Sequence, residues 1–149
     1  MSLSKEQRII DGVISTRAAT PLAAVGAPRS LFVLGGGMIV VRQLYGVVTT
    51  PIAAVANNTK LQSKPTGIAA VDLCAVADIT GLTAGQFVGI TGAVANALVT
   101  GFVIAGQASG LLLQPGTIDL NCAAALQTGA IRWVLRWSPA EPNAFVRAA

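Results

Sequence analysis

Between Ile79 and Ile118 the chain runs forty residues without a charged side chain. That run limits what the middle of the chain can fold into. Ile90 to Leu113 is uncharged and long enough to cross a bilayer as one helix. Against that reading, Gly92, Asn96, Thr100, Gly101, Gly106, Gln107, Ser109 and Gly110 are spread through it instead of keeping to one helical face, and no cluster of Lys or Arg at its ends sets an orientation. Turn-forming residues at such short intervals suit several brief strands better than one spanning helix. The expectation is a β-rich domain and no membrane segment.

The same neutrality constrains function. No histidine occurs anywhere in the chain, which removes a Ser-His-Asp or Cys-His relay, an imidazole metal ligand and the ordinary neutral-pH proton shuttle. Hydrophobic residues make up 53% of the 149 positions and charged residues 11%, against about 25% charged in an average chain. A monomer of this composition is short of polar groups to cover its exterior, so extensive contact with other protein is expected. The start, Met1 to Arg8, has mixed charge and lacks the apolar core of a signal peptide, so secretion is not expected. Cys74 and Cys122 are either two reduced thiols or one disulfide; buried thiols acting as small apolar groups fit a protein made in the cytoplasm.

Three regions are legible. Residues 1–30 read as an extended N-terminal arm: Ser4 to Ile14 has room for a helical turn or two, and Thr20-Pro21 and Ala27-Pro28 punctuate the rest of the segment. Four of the ten basic residues, Lys5, Arg8, Arg17 and Arg29, lie in this arm, opposed only by Glu6 and Asp11. They are the candidates for contact with an acidic partner surface. Nothing in the net charge of +4 forms the dense basic stripe with interleaved aromatics that nucleic acid requires.

Residues 31–140 read as a compact antiparallel β-sandwich or barrel. Leu31 to Leu34 and Met38 to Val48 flank Gly35-Gly36-Gly37 and read as a β-hairpin. A phosphate loop is excluded there, because Met-Ile-Val-Val stands where Gly-Lys-Ser/Thr is needed. Val71, Leu73 and Ala75 alternate with Asp72 and Cys74, and further short strands are expected at Phe87–Ile90, Ala97–Val99, Phe102–Ile104 and Leu111–Leu113. The last strand is the clearest: Ile131, Trp133, Leu135 and Trp137 form an apolar face, with Arg132, Val134 and Arg136 on the other. These four apolar residues are expected to anchor the core or a subunit interface rather than a sugar- or base-stacking platform. Residues 141–149 read as a short C-terminal tail.

A search for chemistry finds little. Asp72 and Asp78 are too far apart along a strand to act as a pair. Val71-Asp72-Leu73-Cys74 echoes Ile118-Asp119-Leu120-Asn121-Cys122, so Asp72 and Asp119 are able to meet across strands, although carboxylates accepting hydrogen bonds from turns is the favoured reading. The cysteines lack zinc spacing, and Asn57-Asn58-Thr59 is a sequon without a secretion signal. No catalytic, cofactor-binding or metal site is expected. A divalent-metal hydrolase built on Asp72 and Asp119 is the least implausible enzyme.

Taken together, the glycine corner running into Tyr45-Gly46-Val47-Val48-Thr49-Thr50, the segment Ala56-Asn57-Asn58-Thr59-Lys60-Leu61, Val71 to Cys74, Gly116 to Cys122 and Ile131 to Pro139 resemble the capsid decoration (cement) proteins of tailed bacteriophages. The resemblance spans roughly residues 30 to 140 by general pattern. It implies a β-rich homotrimer on the outside of an icosahedral head, with the major capsid protein as partner and the termini reaching onto neighbouring subunits. Another virion component, such as a tail or baseplate β-protein or an adhesion module, is the alternative.

Overall fold

The computed structural model describes residues 12–23, 26–123 and 128–149. In chain order the strands are β1 (Val13–Pro21), β2 (Arg29–Gly35), β3 (Ile39–Thr50), β4 (Asn58–Pro65), β5 (Val71–Asp72), β6 (Ala77–Asp78), β7 (Phe87–Gly89), β8 (Val99–Gly101), β9 (Leu111–Leu113), β10 (Gly116–Cys122), β11 (Ala130–Pro139) and β12 (Phe145–Ala148), with no helix among the described residues. They form two antiparallel sheets. The first runs β1-β11-β3-β7-β8, with β9 also on β3; the second runs β12-β2-β10-β4-β5, with β6 also on β4. Neither sheet closes on itself, so the all-β fold is a sandwich and not a barrel.

The core lies between the sheets and draws on the alternation of each long strand. From the first sheet come Ile39, Val41, Leu44, Val48, Ile131, Trp133 and Leu135; from the second come Phe32, Leu34, Leu61, Ile118 and Leu120. Side chains of such a face stand about 10 Å across from those of the other sheet and interdigitate with them. Register shifts in three of the strand pairings adjust the pattern, and two of them bear on what is buried. The register of β10 against β2 shifts between Ile118 and Asp119, which allows the consecutive Leu31 and Phe32 both to be buried. The register of β11 against β3 shifts between Arg136 and Trp137, leaving Arg42 as the extra residue on the outside.

The glycine corner differs from the expected hairpin. β2 and β3 belong to different sheets, so Gly35-Gly36-Gly37 carries the chain from one layer to the other. Gly36 has φ of 75°, and an added Cβ would sit 1.9 Å from the carbonyl oxygen of Asn143. The segment after β11 closes over the corner: Glu141 Oε1 accepts from Met38 N at 2.9 Å, and Ala140 N donates to Met38 O at 2.9 Å. Two apolar runs across a glycine turn look the same in sequence whether they pair or part, because the long-range partners of β2 are β10 and β12.

The sheets also reach past the expected limits of 31 and 140 on both sides. Within the segment read as an arm, Val13–Pro21 pairs with β11 from Val13↔Trp137 to Pro21↔Ala130. Within the segment read as a tail, Phe145–Ala148 pairs with β2. Both gain ladder hydrogen bonds along otherwise open edges, which outweighs their prolines and small residues. The expected helical turns over Ser4 to Ile14 lie largely outside the described residues.

Alternation fails at two further places. Val71 is exposed while Leu73 and Cys74 are both buried, because Leu73 N bonds Leu61 O at 2.9 Å and the chain then turns inward. Phe102–Ile104, expected as a strand, is a loop that leaves Phe102 63% and Val103 89% exposed.

Candidate functional site: interaction surfaces

The carboxylates of the second sheet line up but do not meet. Gln62 on β4 is opposite Asp72 on β5 and opposite Asp119 on β10, so a whole strand separates the two acids, about 9–10 Å at ordinary strand spacing. Gln62 Nε2 donates to Asp72 Oδ1 at 2.8 Å, and Gln62 Oε1 accepts from Asn121 Nδ2 at 3.2 Å. Lys60 Nζ lies 2.9 Å from the same Asp72 oxygen. Asp72 and Gln62 are thus occupied by their own hydrogen bonds, and among the described residues no group of three His, Cys, Asp or Glu is placed to hold a metal. Asp119 is buried and its Oδ1 has no partner. Gln62, which links Asp72 to Asn121, was missed in sequence because a lone glutamine in a strand carries no periodic signal.

Asp78 organises a turn: its Oδ1 accepts from Asn57 N and Thr80 N, each at 3.0 Å, and from the Thr80 hydroxyl. The Lys60 ammonium beside Asp72, then Gln62, hold the Asp72 carboxyl below its ordinary 3.8, and the Thr80 and Asn57 donors do the same for Asp78. Burial pushes the Cys74 thiol above its ordinary 9.0. The stability added by the two carboxylates is present above their unfolded value and is lost as pH falls through the depressed folded values. The contribution of the neutral Cys74 thiol is present below its unfolded value and is lost as pH rises toward the raised one. No histidine side chain titrates between them. Thermal melts are therefore expected to give a flat Tm from about pH 5 to 8 and a decline below about pH 4; a step near neutrality would contradict the assignment.

Cys74 and Cys122 are both buried thiols, not joined as a disulfide. They lie over neighbouring positions of β4: Cys74 Sγ accepts from Leu61 N at 3.4 Å, and Cys122 Sγ accepts from the Thr59 hydroxyl at 3.6 Å. A thiol reagent is expected to label neither in native buffer and both in denaturant without reductant; no labelling in denaturant would mean a disulfide. The Asn57 of the sequon is buried, and its Oδ1 accepts from Thr59 Oγ1 and Ala123 N, both at 3.3 Å. It is not presented for glycosylation in the folded chain.

The apolar face of β11 is core: Ile131, Trp133 and Leu135 are fully buried, and Trp137 nearly so with its Nε1 donating to Ser15 Oγ at 3.0 Å. Neither tryptophan offers a stacking platform. Of the four basic candidates, Lys5 and Arg8 lie outside the described residues. Arg17 sits in β1, where its Nη1 donates to the Ala149 carbonyl, and Arg29 begins β2. Both are partly buried with Nε enclosed and unpartnered, so neither of the two described candidates is presented as a fully exposed charge.

The exterior instead offers two surfaces. One is a shallow groove of about 240 Å³ between β5 and β9, lined by Val71, Leu73, Val94 and Leu111 to Leu113, with Leu112 61% exposed at its rim. The other is the outer face of the first sheet. Register places Ile14, Arg136 and Gln43 in one row, Thr16, Val134 and Tyr45 in the next, and Arg132, Val47 and Phe87 in a third. Tyr45 and Phe87 meet edge to face with ring centroids 6.0 Å apart. The alternation Gln43-Tyr45-Val47 against Leu44-Gly46-Val48 was the available signal for this face. Comparison with protein-family models, curated proteins and solved structures gives no match.

Proposed function

We propose that the chain is a structural virion protein of the cement (decoration) type, which trimerises on the outside of an icosahedral phage capsid and ties neighbouring major capsid proteins together. The observation that carries this reading is where the charge-free run comes to lie. It fills part of the core through Val88, Ile90 and Leu98, yet it also puts Val94, Phe102, Val103 and Leu112 on the surface, with Val103 89% exposed. Large apolar side chains in contact with water favour burial against a neighbour at about 25 cal/mol per Å² covered. The pattern resemblance to decoration proteins supplies the kind of neighbour.

On this reading the protein binds an intact shell and not its dispersed subunits, so each clamp stabilises the shell by mass action, and repetition over many sites gives avidity without one strong contact. The experiment is to purify virions with and without the protein and compare survival after heating and osmotic shock. Virions lacking it are expected to rupture sooner and release DNA. Equal survival would remove the stabilising role.

A further inference from the structure

We infer that the outer face of the first sheet is a docking face for an acidic protein surface. The strands of that sheet carry Arg17, Arg42, Arg132 and Arg136 and not one carboxylate. Every described aspartate, Asp72, Asp78 and Asp119, is on a strand of the second sheet. The remaining described acid, Glu141, is turned to the glycine corner, where it accepts from Met38 N at 2.9 Å. Arg17 reaches the Ala149 carbonyl at the sheet edge, and Arg42, Arg132 and Arg136 are exposed on the outer face, where Arg42 Nε also donates to Ser138 Oγ at 3.0 Å and Arg136 has a partner within the fold as well.

The arginines frame an apolar strip. Arg132 and Arg136 are four residues apart on β11, so their stems stand about 13 Å apart, and the row between them holds half-buried Tyr45 beside Val134, which its neighbours already cover to 6% exposure. Ile14, beside Arg136, is 66% exposed, and Ile104 comes over Gly89 beyond Tyr45. An apolar centre with a rim of arginines is the anatomy of a protein interface, where arginine is enriched and gives bidentate contacts to carboxylates. Complementarity requires the facing rim to be acidic. A second copy does not supply it: on the second sheet Arg29, Lys60, Lys64 and Arg147 outnumber the three aspartates, and Asp72 is already paired with Lys60. Nucleic acid fits poorly as well, because Tyr45 and Phe87 pack on each other at 78° instead of presenting free stacking planes.

On the cement reading this is the face laid against the shell, and a probe that needs no shell lets the face fail separately from that reading. The probe is a random glutamate–tyrosine copolymer immobilised at about 50 mM salt, with the full chain in solution. The Arg132→Glu, Arg136→Glu double variant is expected to lose about tenfold or more in binding, and Arg132→Gln alone a smaller part of it. Lys64→Glu with Arg147→Glu changes net charge equally on the second sheet and is expected to stay close to wild type. Ile14→Ser is expected to weaken binding while leaving every charge in place. Equal losses from the two double variants would overturn the proposal, as would duplex DNA or a lysine–tyrosine copolymer binding as well as the acidic probe. Wild-type self-association that disappears in the Arg132/Arg136 variant would overturn it in favour of a second copy. Absence of the protein from virions would remove the cement reading and leave the face standing.

Discussion

Trp133→Ala is expected to cost about 3–5 kcal/mol of folding stability, the range for emptying a large buried aromatic site. Trp133 is the largest fully buried side chain, at the middle of β11, the strand that joins β1 to β3. Its ring lies against Gly46 of β3, where an added Cβ would come within 2.9 Å of the Trp133 Cε3 atom. Sequence has thus fitted the smallest residue on one strand to the largest on the next. For a chain of this length the loss corresponds to a fall in Tm of about 10 °C, close to the whole margin of a modestly stable domain. Trp133→Phe is expected to cost far less, about 1–1.5 kcal/mol, because the Trp133 indole N–H is buried without a partner and nothing is left unpaired when it goes. Chemical denaturation of the two variants checks both values; a loss of about 3 kcal/mol or more in Trp133→Phe would mean that the N–H has a partner in solution.

Gly36→Ala is expected to be nearly as damaging, at about 2–5 kcal/mol, from left-handed backbone strain together with overpacking. The collision is with backbone, 1.9 Å from Asn143 O, so no rotamer change relieves it. Gly67→Ala separates the two causes. Gly67 has φ of 74° like Gly36 but nothing within 4 Å of the added carbon, so it is expected to cost only the backbone strain, about 1–2 kcal/mol. The difference between the variants, read by denaturant titration, measures how tightly the chain after β11 closes the corner. If the two lose the same amount, the corner is open in solution.

β11 was legible from sequence because Ile131, Trp133, Leu135 and Trp137 fall at every second position, with Arg132 and Arg136 between them, and only one facing of the strand hides all four. The assignment of β2 and β3 to different sheets was not legible, since period two reports that a segment is extended and not which strand it meets. The two-residue strands β5 and β6 carry too few positions for any period, and their place is set by hydrogen bonds to β4. Edge strands β1 and β12 were obscured by alanine and proline, which weaken a local signal while long-range pairing decides the outcome.

The candidate surfaces divide in the same way. The neutral run announced an exterior in need of cover, but only the folded chain shows which of its side chains stay outside. The arginines of β3 and β11 do not stand out in sequence, where acids such as Asp119 fall within a dozen or so residues of Arg132. Sorting the strands into two layers is what parts the charges, and that sorting is a property of topology.

The central claim is that this exterior exists to be covered by a capsid. On the cement reading, the most direct measurement is immunogold labelling of virions purified from cells that make the chain, with copy number per particle from quantitative mass spectrometry. The cement reading predicts label over the whole head and many copies, in fixed proportion to the major capsid protein. Label confined to the tail tip, or a protein absent from the particle, would contradict it.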